Sequence, residues 1–268
     1  MRRNIYDILN DNNIDLSGEY SRIFNLFYVK PITSFIGDVT VYELVSEHFC
    51  LLNKKLVGRC LSVEDFDNTY GFRFEEYPSG FDIDYLISFA EYVLNFVIAI
   101  VNMGTPAVVN IGELFKIKQH IDSCIDEIGY KCIEKESIYI IVEKNAAALA
   151  VAESVKKDLA YPVLEYNHHK LKGDLSAKKN ILKNMADDIE PERAKLNSLN
   201  KRFTSDLFQL FNVFIRHNNF KNDYISKMST CELEKIYDEI YQMWLLAKMQ
   251  LEYSSEAGYI KEVISNLN

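Results

Sequence analysis

Apolar positions recur along most of the chain at the three-and-four spacing of an amphipathic helix. Ile5, Ile8 and Leu9 predict a short opening helix, and Ile23, Leu26 and Phe27 predict a second that Pro31 ends by removing a backbone donor. Val41, Leu44, Val45, His48 and Leu51 carry the same spacing through 39–52. The stretch 58–80, rich in Gly, Asp and aromatic residues, reads as irregular connection. Asp82 is placed to cap a long helix running to about Asn102, which Met103-Gly104-Thr105-Pro106 breaks. Helical spacing resumes over 110–128 and stops at Gly129, a residue suited to a C-cap.

The period then changes to two. Tyr130-Lys131-Cys132-Ile133 and Ser137-Ile138-Tyr139-Ile140-Ile141-Val142 are short, β-branched or aromatic, and flank Glu134-Lys135-Glu136, which predicts a β-hairpin near 130–143. Asn145 next caps an alanine-rich helix expected to reach the neighbourhood of Tyr161-Pro162. Further helices are expected at about 161–172, 174–188, 191–215 and 229–254. The fold class is therefore mainly α, with a helical N-terminal part over 1–144 that ends in the hairpin and a C-terminal helical bundle over 145–268. No internal repeat or low-complexity tract is present.

Charge divides the chain at the same place. The net charge is −9, and all of it falls in 1–144, since 145–268 holds 17 basic and 17 acidic residues. That balance argues against a protein that coats nucleic acid unspecifically. A local basic excess over 156–202 includes Lys170, Lys172, Lys178, Lys179 and Lys183, either a solvated helix face or a surface that meets phosphates. The most apolar run, Tyr85 to Val101, is interrupted by Glu91 and Asn95 and falls short of the roughly 20 residues a bilayer needs, so it reads as a buried core helix. Cys50, Cys60, Cys124, Cys132 and Cys231 are odd in number and form no metal-ligand spacing. No apolar segment follows Arg2-Arg3, so no signal peptide is expected. These features predict a cytoplasmic protein with no membrane association, no metal and no cofactor.

Phosphate-binding glycine loops, dinucleotide fingerprints, nucleophile elbows and zinc-protease motifs are all missing. Asp65 with Asp67, and Asp82 with Asp84, read as caps and turns and not as a cation site. Two polar clusters remain. Leu207 to Ile215 is apolar on much of its circumference and runs straight into Arg216-His217-Asn218-Asn219. These four residues can end a core helix, with Arg216 and His217 complementing its negative end. Equally, a permanent guanidinium suits a phosphate, and an imidazole can move a proton during phosphodiester cleavage. The second cluster is Glu165 with His168, His169 and Lys170, three to five positions apart and so on neighbouring faces of one turn. Tyr237, Ile240, Tyr241, Trp244, Leu245 and Met249 form an aromatic stripe that reads as core or dimer seam.

The order of helices over 145–268 resembles the HEPN superfamily, in which an Arg and a polar residue close a hydrophobic helix. Leu164-Glu165-Tyr166-Asn167-His168, Leu171-Lys172-Gly173-Asp174, Glu190-Pro191-Glu192-Arg193 and Ile215-Arg216-His217-Asn218-Asn219 further resemble bacterial abortive-infection proteins. The resemblance implies a dimeric helical domain and a metal-independent ribonuclease of antiphage defence. It assigns Arg216, His217, Asn218 and Asn219 to catalysis and Glu165, His168, His169 and Lys170 to support. The distal His of the family motif is replaced by Lys221-Asn222-Asp223, so either His217 supplies the imidazole from the adjacent position or the site has lost cleavage and keeps a binding or assembly role. Region 1–144 would then sense a phage trigger or a protein partner, or restrain the toxin. The alternative is a non-catalytic helical protein that homodimerises and binds a protein partner.

Overall fold

The computed structural model describes residues 14–34, 37–103, 111–217 and 223–267. The opening positions Ile5, Ile8 and Leu9, the break at Gly104-Thr105-Pro106, and Asn218 and Asn219 lie outside them. Helix dominates, and among the described residues the strands form two small antiparallel pairs. The chain divides into two compact units, Met1–Glu143 and Lys144–Asn268.

In the first unit, Asp15 accepts a hydrogen bond from the Gly18 N–H at 3.0 Å and opens α1 (Leu16–Phe24). This helix widens into a π-helical turn over Asn25–Val29 and stops before Pro31, with Ile23 and Phe27 buried as their spacing predicts. Strands β1 (Ile32–Ser34) and β2 (Gly37–Val39) pair with Ile32 opposite Val39, too briefly to leave a period in the sequence. Thr40 and Glu43 form a reciprocal capping box on α2 (Val41–His48).

The segment expected to be irregular is more ordered than its composition suggests. It follows α3 (Lys54–Val57) and contains α4 (Val63–Tyr70), whose first turn is capped by Ser62 and whose end is closed by Gly71 at φ 74°. Val63 and Phe66, three apart, bury the inner face of α4. The dense Asp and aromatic content masks this short amphipathic pattern.

Helix α5 (Ile83–Asn102), capped by Asp82 through the Tyr85 N–H at 2.8 Å, is the axis of the unit. Among the described residues it is the one helix long and apolar enough to cross a membrane, yet 67% of its most apolar window is buried inside the protein. Its two polar interruptions have a structural task. Asn95 donates to the carbonyls of Glu91 (2.8 Å) and Tyr139 (2.7 Å) and accepts from the Tyr139 N–H (2.8 Å), while Glu91 accepts from the Ile141 N–H (2.9 Å). They satisfy the free edge of a strand that would otherwise be buried without partners.

That strand belongs to the predicted hairpin. After α6 (Ile111–Glu127), β3 (Tyr130–Lys135) pairs with β4 (Ile138–Glu143) from Tyr130 opposite Glu143 to Lys135 opposite Ile138. The two-residue turn, Glu136 at φ 54° and Ser137 at φ 68°, has the left-handed pair that a tight right-twisted hairpin demands.

The second unit opens on α7 (Ala146–Ser154), capped by Asn145. The expected continuous helix breaks at Val155 and Lys156, which are extended, and restarts as α8 (Lys157–Glu165) with Pro162 inside it. A short 3₁₀ turn (His169–Leu171) leads to α9 (Leu175–Ile189), capped by Asp174. The helix predicted at 191–215 is interrupted as well. After a 3₁₀ turn at Glu190–Glu192, α10 (Arg193–Leu199) ends at Asn200, which is extended and whose side chain caps α11 (Lys201–Leu210) through the Phe203 N–H at 3.1 Å. A π-helical turn (Phe211–Arg216) prolongs α11; the brief α12 (Asp223–Ser226) and the long α13 (Thr230–Asn266) complete the unit. Trp244, Tyr241, Phe208 and Phe211 are fully buried in its core. The aromatic stripe is thus core, with Met249 alone of its members exposed.

Candidate functional site

The π-helical turn decides where Arg216 points. Its closing bond runs from the His217 N–H to the Asn212 carbonyl five residues back, at 3.1 Å, so one extra residue is wound into the last turn. Arg216 reaches the C-terminal end of α9. Its guanidinium ion-pairs with Glu190, donates to the Ala186 carbonyl at 3.0 Å, and lies 3.4 Å from an Asp187 carboxylate oxygen. A cation here meets both carboxylates and the negative end of the α9 dipole. The Arg216 hydrogen bond is the largest influence holding the Glu190 carboxyl below its usual range, against a smaller desolvation effect. Glu190 is held from its other side by Arg193 at 3.3 Å.

His217 follows in extended conformation with an exposed side chain. The arrangement is a partly exposed guanidinium, 23% of its side-chain surface accessible, oriented by a carboxylate and followed in sequence by an exposed imidazole. Asn218 and Asn219, expected to complete it, lie outside the described residues.

The supporting group expected at 165–170 lies elsewhere. Glu165 ends α8, and its carbonyl accepts from the His168 N–H at 2.8 Å. His168 Nδ1 accepts from the Lys170 N–H at 3.3 Å, which caps the 3₁₀ turn. Both histidines are buried, their ring centroids 4.6 Å apart, rather than displayed at the surface. This turn precedes the N-terminus of α9, whereas Arg216 grips its C-terminal end. The helical rise from Asp174 to Ala186 separates those ends by about 18 Å. The acid that meets Arg216 is Glu190, not Glu165. Sequence spacing missed it because the contact spans 26 positions and depends on α9 and α11 packing together.

A second correction concerns Lys178, placed by composition on a solvated basic face. It is 5% exposed and ion-paired to Glu234 at 2.7 Å and Asp238 at 2.8 Å, with its ammonium 5.2 Å from the Tyr166 ring centroid. Tyr166 donates to Asp238 at 3.1 Å and stacks on Tyr241 at 4.1 Å; Tyr241 donates to the Val163 carbonyl at 2.8 Å. Burial pushes the Tyr166 hydroxyl well above its ordinary range, and the Asp238 charge adds to this. For Glu234, desolvation acts upward, but hydrogen bonds from Lys178 and the Gly173 N–H outweigh it and hold the carboxyl low. The satisfied, closed character of this network fits a tie between α9 and α13.

Compared with protein-family models, curated proteins and solved structures, the chain matches none.

Proposed function

We propose that the second unit acts on RNA by metal-independent acid–base chemistry at Arg216 and His217. The observation that carries this reading is the Arg216 guanidinium, pinned by Glu190 at a helix end directly before an exposed imidazole. In the proposed step Arg216 binds the scissile phosphate and His217 takes the proton of the ribose 2′-hydroxyl. The 2′-oxygen forms a bond to phosphorus, the bond to the 5′-oxygen breaks, and that oxygen leaves with a proton taken from solvent water. Glu190 orients Arg216 and does not touch the reacting atoms. The HEPN-like resemblance supplies the biological frame, an abortive-infection toxin acting in the cytoplasm, with the acidic first unit sensing a trigger or a protein partner.

The test is cleavage of single-stranded RNA by the full chain, in EDTA, beside Arg216→Ala and Glu190→Gln. Arg216→Ala should lose at least about 100-fold, the usual scale for one electrostatic group, and Glu190→Gln should keep part of the rate. Equal cleavage by wild type and Arg216→Ala would overturn the assignment.

A second reading is a non-catalytic interaction protein. It is favoured by the saturation of Arg216 with two acids and a carbonyl, which suffices to tie α9 to the end of α11. Under this reading Arg216→Ala costs about 1–2 kcal/mol of stability and no other property changes.

A further inference from the structure

Asp67, on α4, reaches toward α5, where its Oδ1 accepts from the Tyr92 hydroxyl at 2.9 Å. Among the described residues no Lys, Arg or His pairs with it. Two influences act on its carboxyl, burial that pushes it up and the opposing Tyr92 hydroxyl. The neighbouring groups are aromatic. Phe72, just past the end of α4, lies 5.2 Å from the Tyr92 ring, and Tyr28 of the π-helical turn packs 5.0 Å from Tyr42 of α2. Burial, and next the Asp67 charge, push the Tyr28 hydroxyl well above its ordinary range, so this ring pair belongs to the same cluster. Tyr28, Tyr42, Phe72 and Asp67 are each partly exposed, whereas Tyr92 is 5% exposed. The cluster therefore opens to solvent, with Tyr92 at its base.

A half-buried carboxylate without a cationic partner costs stability at neutral pH, and such groups concentrate at binding sites. Its complement is a cation that also favours ring faces. A metal ion requires several oxygen ligands, and a primary ammonium has three N–H donors to satisfy, yet one of the two Asp67 oxygens is already engaged by Tyr92. A methylated ammonium makes no such demand. Aromatic faces attract it through their quadrupoles, and a single carboxylate balances its charge. The net charge of −9 in region 1–144 favours the approach of a cation. We propose that Asp67, with Tyr28, Tyr42, Phe72 and Tyr92, binds a small molecule that carries a methylated ammonium group. The proposal does not depend on the RNA reading, whose residues belong to the second unit.

Ligand-observed NMR titration of the full-length protein tests this at about pH 8, where the Asp67 carboxyl is ionised. The probe is choline, and the control is its neutral tert-butyl analogue. Choline should bind at least about tenfold more tightly than the analogue, which has the same shape and no charge. Asp67→Asn removes the charge and keeps an acceptor for Tyr92. It should weaken choline binding at least about tenfold while melting no lower than wild type. Tyr42→Leu should weaken it about threefold or more, which attraction to an acidic surface alone would not produce. Absence of choline binding by wild type, or equal binding of the neutral analogue, overturns the proposal. Binding unchanged in Asp67→Asn overturns it as well, because the cation then sits elsewhere. Binding lost in Asp67→Asn but unchanged in Tyr42→Leu removes the aromatic contribution, and with it the selection of a methylated ammonium.

Discussion

Lys178 is the residue whose role departs most from its sequence setting. Among neighbouring lysines it looks like part of a charged surface, yet it is buried between two carboxylates of α13 and an aromatic ring. Removing one member of such a group leaves uncompensated charge inside the protein. Lys178→Ala should therefore cost about 3–5 kcal/mol in urea denaturation, far more than Lys183→Ala, which is exposed. Asp67 supplies the corresponding effect in the first unit. Burial pushes its carboxyl up to about 6, with a smaller opposing effect from the Tyr92 hydroxyl that donates to it at 2.9 Å. Between about pH 4 and pH 6 the folded chain keeps a proton that the unfolded chain has released, so this residue makes stability fall as pH rises through that window. Asp67→Asn, which can still accept from Tyr92, should flatten that slope and raise stability at pH 7 by about 1 kcal/mol after allowing for solvent screening. A melting-temperature series from pH 4 to pH 8 on both proteins measures it.

At the scale of elements, helix starts were the most legible feature. Asp82 and Asn145 sit before apolar runs and cap them as their side chains predict. The hairpin was legible from its change of period, though the register depended on the left-handed pair Glu136-Ser137, neither of which is a glycine. Breaks inside helical pattern were not legible. Asn200 interrupts 191–215 because its side chain caps α11 better than its backbone continues α10, and hydrophobic spacing runs through it unchanged. The candidate site was half visible. Arg216 and His217 announce themselves as polar residues ending an apolar helix, while Glu190 has no signal before α9 and α11 are docked. Asn95 shows how a polar interruption becomes an instrument of packing. Asn95→Ala should cost about 2–3 kcal/mol, since two strand groups of Tyr139 lose their partner, whereas an exposed substitution on the same hairpin such as Lys131→Ala should stay within about 0.5 kcal/mol. Hydrogen exchange of the Tyr139 and Ile141 amides would localise the loss to the strand that α5 holds.

For the whole molecule, the division of charge and the division of structure coincide. The unit Met1–Glu143 carries the acidic excess around a dense aromatic core, and the unit Lys144–Asn268 holds nearly balanced charge, 18 basic against 17 acidic residues, with the Arg216 cluster and the long α13. The proposed function would assign the reading of a signal to the first unit and the action on RNA to the second. The most direct measurement is the rate of RNA cleavage by purified full-length protein and by His217→Ala in EDTA, with thermal melts as the folding control. An exposed side chain at a helix end should leave the melt unchanged when truncated, so the proposed mechanism predicts at least about a 100-fold loss of rate at constant stability. An undiminished rate in His217→Ala, or wild-type cleavage abolished by EDTA, would contradict it.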